Sequence, residues 1–294
     1  MTMALLSPGP RVLVASQIDY QQVTPHRRAV YMNHGAGQSY GGDPDPGVSR
    51  ASSYAGGDNQ DRTDLFLVPG PDPAERCMRR YPAIPVVEIG CPALDGYLGR
   101  PRFPSGSHPV VALAWHWENQ LCPETRSALP HFLPGLAALS ERYEVIGHGH
   151  PRARGFLEPA YERLRIPWAD YETVMERASV LCMDNSSIGF EAAAAGIPVV
   201  WMTPPWYRRS VSHGLRFWDC VGLGIEVTRP EDLVGAVASS LGARADWDRA
   251  RSLRVLSGIY SHLDGASAHR AAAAILALEG SGLETSRPLA EVAP

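Results

Sequence analysis

The stretch VLCMDNSSIGFEAAAAGIPVVWM, residues 180–202, limits the possible folds more than any other part of this chain. VLCMD and IPVVWM are short apolar runs without alternation, the pattern of strands covered on both faces. Between them, IGFEAAAAG has the composition of a short helix closed by Gly196. A strand, a helix and a second strand in so few residues make a crossover between parallel strands. The chain is therefore expected to be α/β, with Asp184, Asn185, Ser186 and Ser187 at a strand-to-helix corner. Such a corner is able to hold an anion.

At 294 residues and 45% hydrophobic, the chain has enough apolar material for two moderate cores. Its formal net charge of −4 gives no basic excess, which argues against a protein whose main partner is a nucleic-acid backbone. No stretch is long and apolar enough to be a transmembrane segment, and MTMALLSPGP lacks the charged start and apolar centre of a secretory signal. A cytoplasmic location is expected. Cys77, Cys91, Cys122, Cys182 and Cys220 are odd in number and form no CxxC pair. They are read as reduced structural residues, and no metal site is expected.

RVLVAS (11–16), AVYMNH (29–34), DLFLVPG (64–70) and PVVEIG (85–90) are apolar runs that end in loop-forming residues, as parallel strands do. Residues 35–60, rich in Gly, Ser, Asp and Pro, read as a long loop. GRPRFPSGSHP (99–109) marks a boundary between an N-terminal domain, 1–105, and a C-terminal domain, 106–280. Beyond it strands and helices alternate regularly. VVALAW (110–115) is a strand, 127–142 a helix, YEVIGHGHP (143–151) a strand and 171–179 a helix. The 180–202 unit follows, then a strand and helix over 225–242 and a helix over 267–280. Residues 281–294 read as a frayed tail. Ligands of such sheets collect at the carboxyl ends of the strands.

Three groups of residues have the right chemistry for a site. Ser186 and Ser187 offer hydroxyls beside the N–H groups of a helix start, suited either to a diphosphate or to ordinary capping. Glu191, one turn on, is either an acceptor for two ribose hydroxyls or a solvated helix residue. In HGHP, His148 and His150 are read as pointing to opposite faces of the sheet, which leaves them unable to converge on a metal ion. His150, next to Pro151, is the candidate phosphate donor or leaving-group acid, or else a structural residue. NHGAG (33–37) follows a strand, with Gly35 and Gly37 allowing close backbone approach. His34 there is either a general base or a turn histidine. TPPWYRRSVSHGLRFWDC (203–220) interleaves aromatics with arginines, suited to holding a base or polymer, or to packing as a lid.

Taken in order, these segments resemble the CDP-glycerol glycerophosphotransferases that build teichoic acid-type polymers. YEVIGHGHP and IPWADYETVMERASVLCMDNSSIGFEAAAAGIPVVWM are similar to that family's His-Pro strand, Asp-rich helix start and Ser-Ser turn. NHGAG is similar to its His-Gly-Thr motif, IGCPALD (89–95) to its G-x-P-R-x-D segment, and YSHLDGASAHRAAAAI (260–275) to its closing Asp-Gly-x-x-x-x-R helix. The likeness spans roughly residues 29–275. It implies a GT-B-like fold of two Rossmann-like domains with parallel sheets facing a central cleft, the N-terminal one reduced. By position it implies His34 as base, His150 as the His before Pro, Ser186 and Ser187 at the donor pyrophosphate, Asp184 opening their turn and Arg270 in the last helix. Asn33 stands where the family usually has Trp, Ala36 for Thr, Ala93 for Arg, Asn185 for Tyr and Glu191 for Asp.

The resulting expectation is a metal-independent transferase. It moves a glycerophosphate or glycosyl group from a nucleotide-diphospho donor to an acceptor hydroxyl of a polymer, protein or small molecule, without a cofactor. A nucleotide-sugar epimerase of the same architecture and a non-catalytic nucleotide-binding module are the alternatives.

Overall fold

The six residues of VVALAW, free of Gly and polar side chains, form a strand buried along its whole length, and a five-stranded parallel sheet is built around it. The computed structural model describes residues 12–15, 28–33, 63–99, 108–117, 126–207, 223–242 and 245–280. In it β5 (Val110–Trp115) pairs on one side with β6 (Glu144–Gly149) and on the other with β7 (Val180–Met183). β8 (Val199–Met202) and β9 (Gly224–Val227) continue from β7, giving the order β6-β5-β7-β8-β9. Successive side chains of a strand face opposite sides. Accordingly Val111, Leu113 and Trp115 pack against Phe132, Leu136, Leu157, Tyr161 and Leu233. Ala112 and Ala114 pack instead against Val174, Ile188, Phe190 and Leu256.

The helices that supply those residues are α2 (Leu129–Arg142), α3 (Arg154–Leu164), α4 (Tyr171–Arg177), α5 (Ile188–Ala194), α6 (Leu233–Leu241) and α7 (Ala245–Ile259). α3 and α7 are additions to the expected elements. α3 hides behind Pro159, which sits inside it while Leu157, Ala160 and Tyr161 face the core. Asp170 caps α4, its carboxylate accepting from Thr173 N–H at 2.8 Å.

A second parallel sheet comes earlier in the chain: β1 (Val12–Ala15), β2 (Arg28–Met32), β3 (Leu65–Val68) and β4 (Val86–Glu88), in sequential order. One face holds Tyr31, Phe66 and Val68 against Ala74 and Tyr81. Ala74 belongs to α1 (Pro71–Arg80), a helix that the sequence pattern hides behind two prolines in its first turn. The other face holds Val30, Leu65, Leu67 and Ile89, and it is covered from the far end of the chain. Ala271, Ala274, Ile275 and Leu278 of α8 (Ser267–Gly280) lie on it.

Backbone contacts lock that return. Asp95, just past a 3₁₀ turn at Pro92–Leu94, accepts from the N–H groups of Ser267 (3.0 Å) and Ala268 (2.7 Å) at the start of α8. Ser261 N–H donates to Pro69 at 3.1 Å, and its hydroxyl donates to Glu88. A side chain at Gly70 would meet the Ile259 carbonyl at 2.4 Å. Gly90 combines a φ of 82° with a similar approach to Ser267, so both glycines are required by the crossing. Two parallel, helix-covered, Rossmann-like sheets make the α/β fold expected from the sequence.

Candidate functional site

The order of the five-stranded sheet decides where a ligand fits. From β5 the chain moves outward to β6, then returns to the opposite side of β5 for β7. Connections on the two sides of that reversal run over opposite faces, which leaves a crevice outside the carboxyl ends of β5 and β7. In register, Trp115 is level with Gly149 and Ala114 with Met183. Three loops therefore start side by side: His150 after β6, His116 after β5, and Asp184 to Ser187 after β7.

Asp184 builds the crevice rather than lining it. Its side chain is buried; one carboxylate oxygen accepts from the N–H groups of His116 (2.8 Å) and Asn185 (2.6 Å), the other from Ala128 N–H at 3.0 Å. Burial nevertheless pushes its pKa up to about 6. Asn185, also fully enclosed, donates from Nδ2 to the Tyr207 hydroxyl at 3.0 Å, which in turn donates to the Arg126 carbonyl at 3.3 Å. Groups so enclosed hold the loops together. Trp206, beside Tyr207, has the Arg126 guanidinium over its ring at 4.6 Å. The rest of the aromatic and arginine run, 208–220, lies outside the described residues.

Ser186 and Ser187 are half-buried, and Ser187 takes the N-cap position of α5 without a capping hydrogen bond from its hydroxyl. The first turn closes through the backbone, with Gly189 N–H on Ser186 and Phe190 N–H on Ser187. Glu191 lies on the buried side of α5, only 8% exposed, so the solvated alternative does not hold. Burial pushes its pKa up, while the Tyr171 hydroxyl works the other way. After burial, the Glu191 charge is the next cause lifting Cys91 to about 12. Cys91 follows β4, so Glu191 sits at a seam between the two sheets' surroundings.

His148 and His150 correct one expectation, because residues two apart on a strand share a face. Hydrogen bonding is what sets the two rings apart. His148 Nδ1 lies 2.9 Å from the Ala169 carbonyl, and burial lowers its pKa. His150 is exposed, and its Nδ1 accepts from Arg152 N–H at 3.1 Å. Among the described residues no three His, Cys, Asp or Glu side chains gather as a metal site would.

His116 is the residue that sequence reasoning missed. A histidine directly after a fully apolar strand, where ligands of parallel sheets collect, was the available signal. Its ring stacks on Trp117 with centroids 5.6 Å apart and lies 6.2 Å from that of His150. Burial lowers its pKa to about 4. Arg152 places its guanidinium over Trp117 at 5.0 Å.

His34 and Gly35 lie outside the described residues, directly after Asn33, whose N–H donates to Leu67 at 3.0 Å. The Arg270 guanidinium pairs with both carboxylate oxygens of Asp264, one at 2.9 Å. No helix of the described residues is long and apolar enough to cross a membrane.

No family model matches the sequence, and no curated protein does either. Solved structures do match. The wall teichoic acid polymerase TagF superposes with a TM-score of 0.61 at 14% identity, over 85% of this chain and 67% of its own. An S. aureus MnaA–UDP complex gives 0.52 at 13% identity, over 96% and 78%. A UDP-N-acetylglucosamine 2-epimerase gives 0.53 at 12% identity, over 97% and 76%. At these identities the likeness is one of fold, and the fold is of the GT-B type.

Proposed function

We propose that this chain is a transferase that moves a glycerophosphate or glycosyl group from a nucleotide-diphospho donor to an acceptor hydroxyl, without a metal. The observation that carries the reading is the reversal at β5. It brings His150, Ser186 and Ser187 to adjoining loops at the carboxyl end of one sheet. Likeness of fold to TagF, which has been solved after soaking with CDPG, supports the donor class.

In this reading Ser186, Ser187 and the amino end of α5 hold the diphosphate. His150 supplies a proton or hydrogen bond to the departing phosphate, and His34 removes the acceptor proton as attack begins. With CDP-glycerol the acceptor oxygen bonds to the glycerol-bearing phosphorus, the bond between the two phosphates breaks, and CMP leaves. With a nucleotide sugar the acceptor oxygen bonds to the anomeric carbon, and the nucleoside diphosphate leaves.

The structure described as a UDP-N-acetylglucosamine 2-epimerase matches 97% of this chain, which favours an epimerase as the second reading. A melting-temperature panel with CDP-glycerol, UDP-N-acetylglucosamine, GDP-mannose and ADP-glucose is the test, followed by product analysis with and without an acceptor alcohol. One base is expected to stabilise the fold, with turnover that needs the acceptor. His34→Ala is expected to cut that turnover about 10²–10⁴-fold while leaving the donor's thermal shift in place. Turnover of donor alone would establish the epimerase, binding without turnover the non-catalytic module. A panel in which nothing shifts the melting temperature would overturn the reading.

A further inference from the structure

Building on that reading, we infer that His116 is a ligand-contacting residue of the site, its Nε2 accepting a hydrogen bond from a hydroxyl of the bound donor. Position comes first. His116 follows the strand at the reversal, flanked by the His150 loop on one side and the Asp184–Ser187 loop on the other. Its backbone is fixed by the 2.8 Å bond from its N–H to Asp184. The His116 loop therefore lies between the loop that carries Ser186 and the loop that carries His150.

The ring has one possible polarity. His116 Nδ1 lies 2.6 Å from the Trp117 carbonyl, and a carbonyl only accepts, so Nδ1 carries the hydrogen. Nε2 of the neutral ring is then a bare acceptor. Stacking on Trp117 with the planes 27° apart keeps the ring in that orientation. Only 9% of His116 is exposed, and burial keeps it neutral well below physiological pH. His150 has the reverse polarity: its Nδ1 accepts from Arg152 N–H at 3.1 Å, which leaves the hydrogen of the neutral ring on Nε2.

Two neighbouring imidazoles of opposite polarity recognise two different groups. A donor edge suits a phosphate oxygen. A neutral acceptor edge does not attract an anion and suits an O–H. Together they select a ligand with a hydroxyl close to a phosphate, as on the glycerol of CDP-glycerol or the ribose of a nucleotide.

The test uses two isosteres and the full chain. In His116→Asn the amide nitrogen can replace Nδ1–H on the Trp117 carbonyl, but nothing replaces Nε2. In His116→Gln the amide oxygen can replace the Nε2 acceptor. Calorimetry with CDP-glycerol, CDP and UDP-N-acetylglucosamine is expected to show affinity falling about tenfold in the Asn variant. The Gln variant should recover part of it, with melting temperatures close to wild type in both. Loss for CDP-glycerol alone assigns the hydroxyl to the transferred group; equal loss for CDP assigns it to the ribose. Long-range ¹H–¹⁵N spectra of the ligand-free wild type should show His116 unprotonated at Nε2. Wild-type affinity in the Asn variant, or a ring protonated at Nε2, would overturn the proposal while leaving the proposed function standing. A wild type that binds none of the three compounds overturns both.

Discussion

The two sheets of this molecule use the same parallel strands and differ in the order in which they are laid down. The four described strands of the first run β1-β2-β3-β4, with no reversal. The second runs β6-β5-β7-β8-β9 and reverses at its centre. Sequential crossovers stack every connection the same way, whereas a reversal splits two of them apart and opens a crevice at the strand ends. The buried carboxylate of Asp184, the paired imidazoles and the two serines all gather at that split. The sheets also differ in how they are covered. The second is sandwiched by helices that directly follow its own strands, but one face of the first is closed by α8, about two hundred residues downstream of β3.

That contrast is broken most severely by removing α8. Truncation before Ser267 exposes Val30, Leu65, Leu67 and Ile89. Hydrogen exchange is expected to show β2 and β3 losing protection entirely while β5 and β7 keep theirs. Equal protection in both sheets after truncation would show that α8 is dispensable to the first.

A smaller effect is expected within the second sheet. Asp184→Leu leaves three buried N–H groups, of Ala128, His116 and Asn185, without their acceptor. The expected cost is about 3 kcal/mol or more, read by urea denaturation. Asp184→Asn, which keeps one acceptor oxygen, should fall between the two. A loss well under about 1 kcal/mol in the Leu variant would mean that the carboxylate does not tie the three loops together.

The smallest effect is one of pH, and it separates the two buried groups beside the crevice. The pKa of His116 is lowered to about 4. Its contribution to stability is therefore full above the unfolded value near 6.5 and is lost as pH falls towards 4. Asp184 has the opposite sign. Raised to about 6, it favours the fold below its unfolded value and loses that contribution as pH rises through 6. Relative to wild type, His116→Asn should thus gain stability between pH 6.5 and 4, by about 2 kcal/mol, in denaturation curves across that range. A difference that stays flat with pH would place a charged or solvated imidazole at position 116.

Much of the second sheet was legible because its strands are unbroken apolar runs separated by helical segments of ordinary length. α1 and α3 were not, since Pro71 with Pro73 and Pro159 mimic loop signals; the chain tolerates them in a first turn and beside a packed face. At the site, Ser186, Ser187 and His150 were visible as polar residues at strand ends. His116 is a lone histidine between two tryptophans and belongs to no glycine or histidine motif, so only its place after an apolar strand marks it. Asp184 was seen, yet its partners lie 56 and 68 positions away in sequence, and no local pattern encodes them. Arg270, placed with the donor by resemblance, pairs in the structure with Asp264 six residues before it.

The sequence by itself determined the α/β class, the parallel strands and the chemistry available at their ends, because apolar periodicity and helix-terminus composition are local properties. Strand order, the return of α8 and the polarity of the His116 and His150 rings were decided only by the tertiary structure. Each depends on contacts between segments far apart in the chain, where packing and hydrogen-bond satisfaction choose among arrangements that local pattern leaves equal.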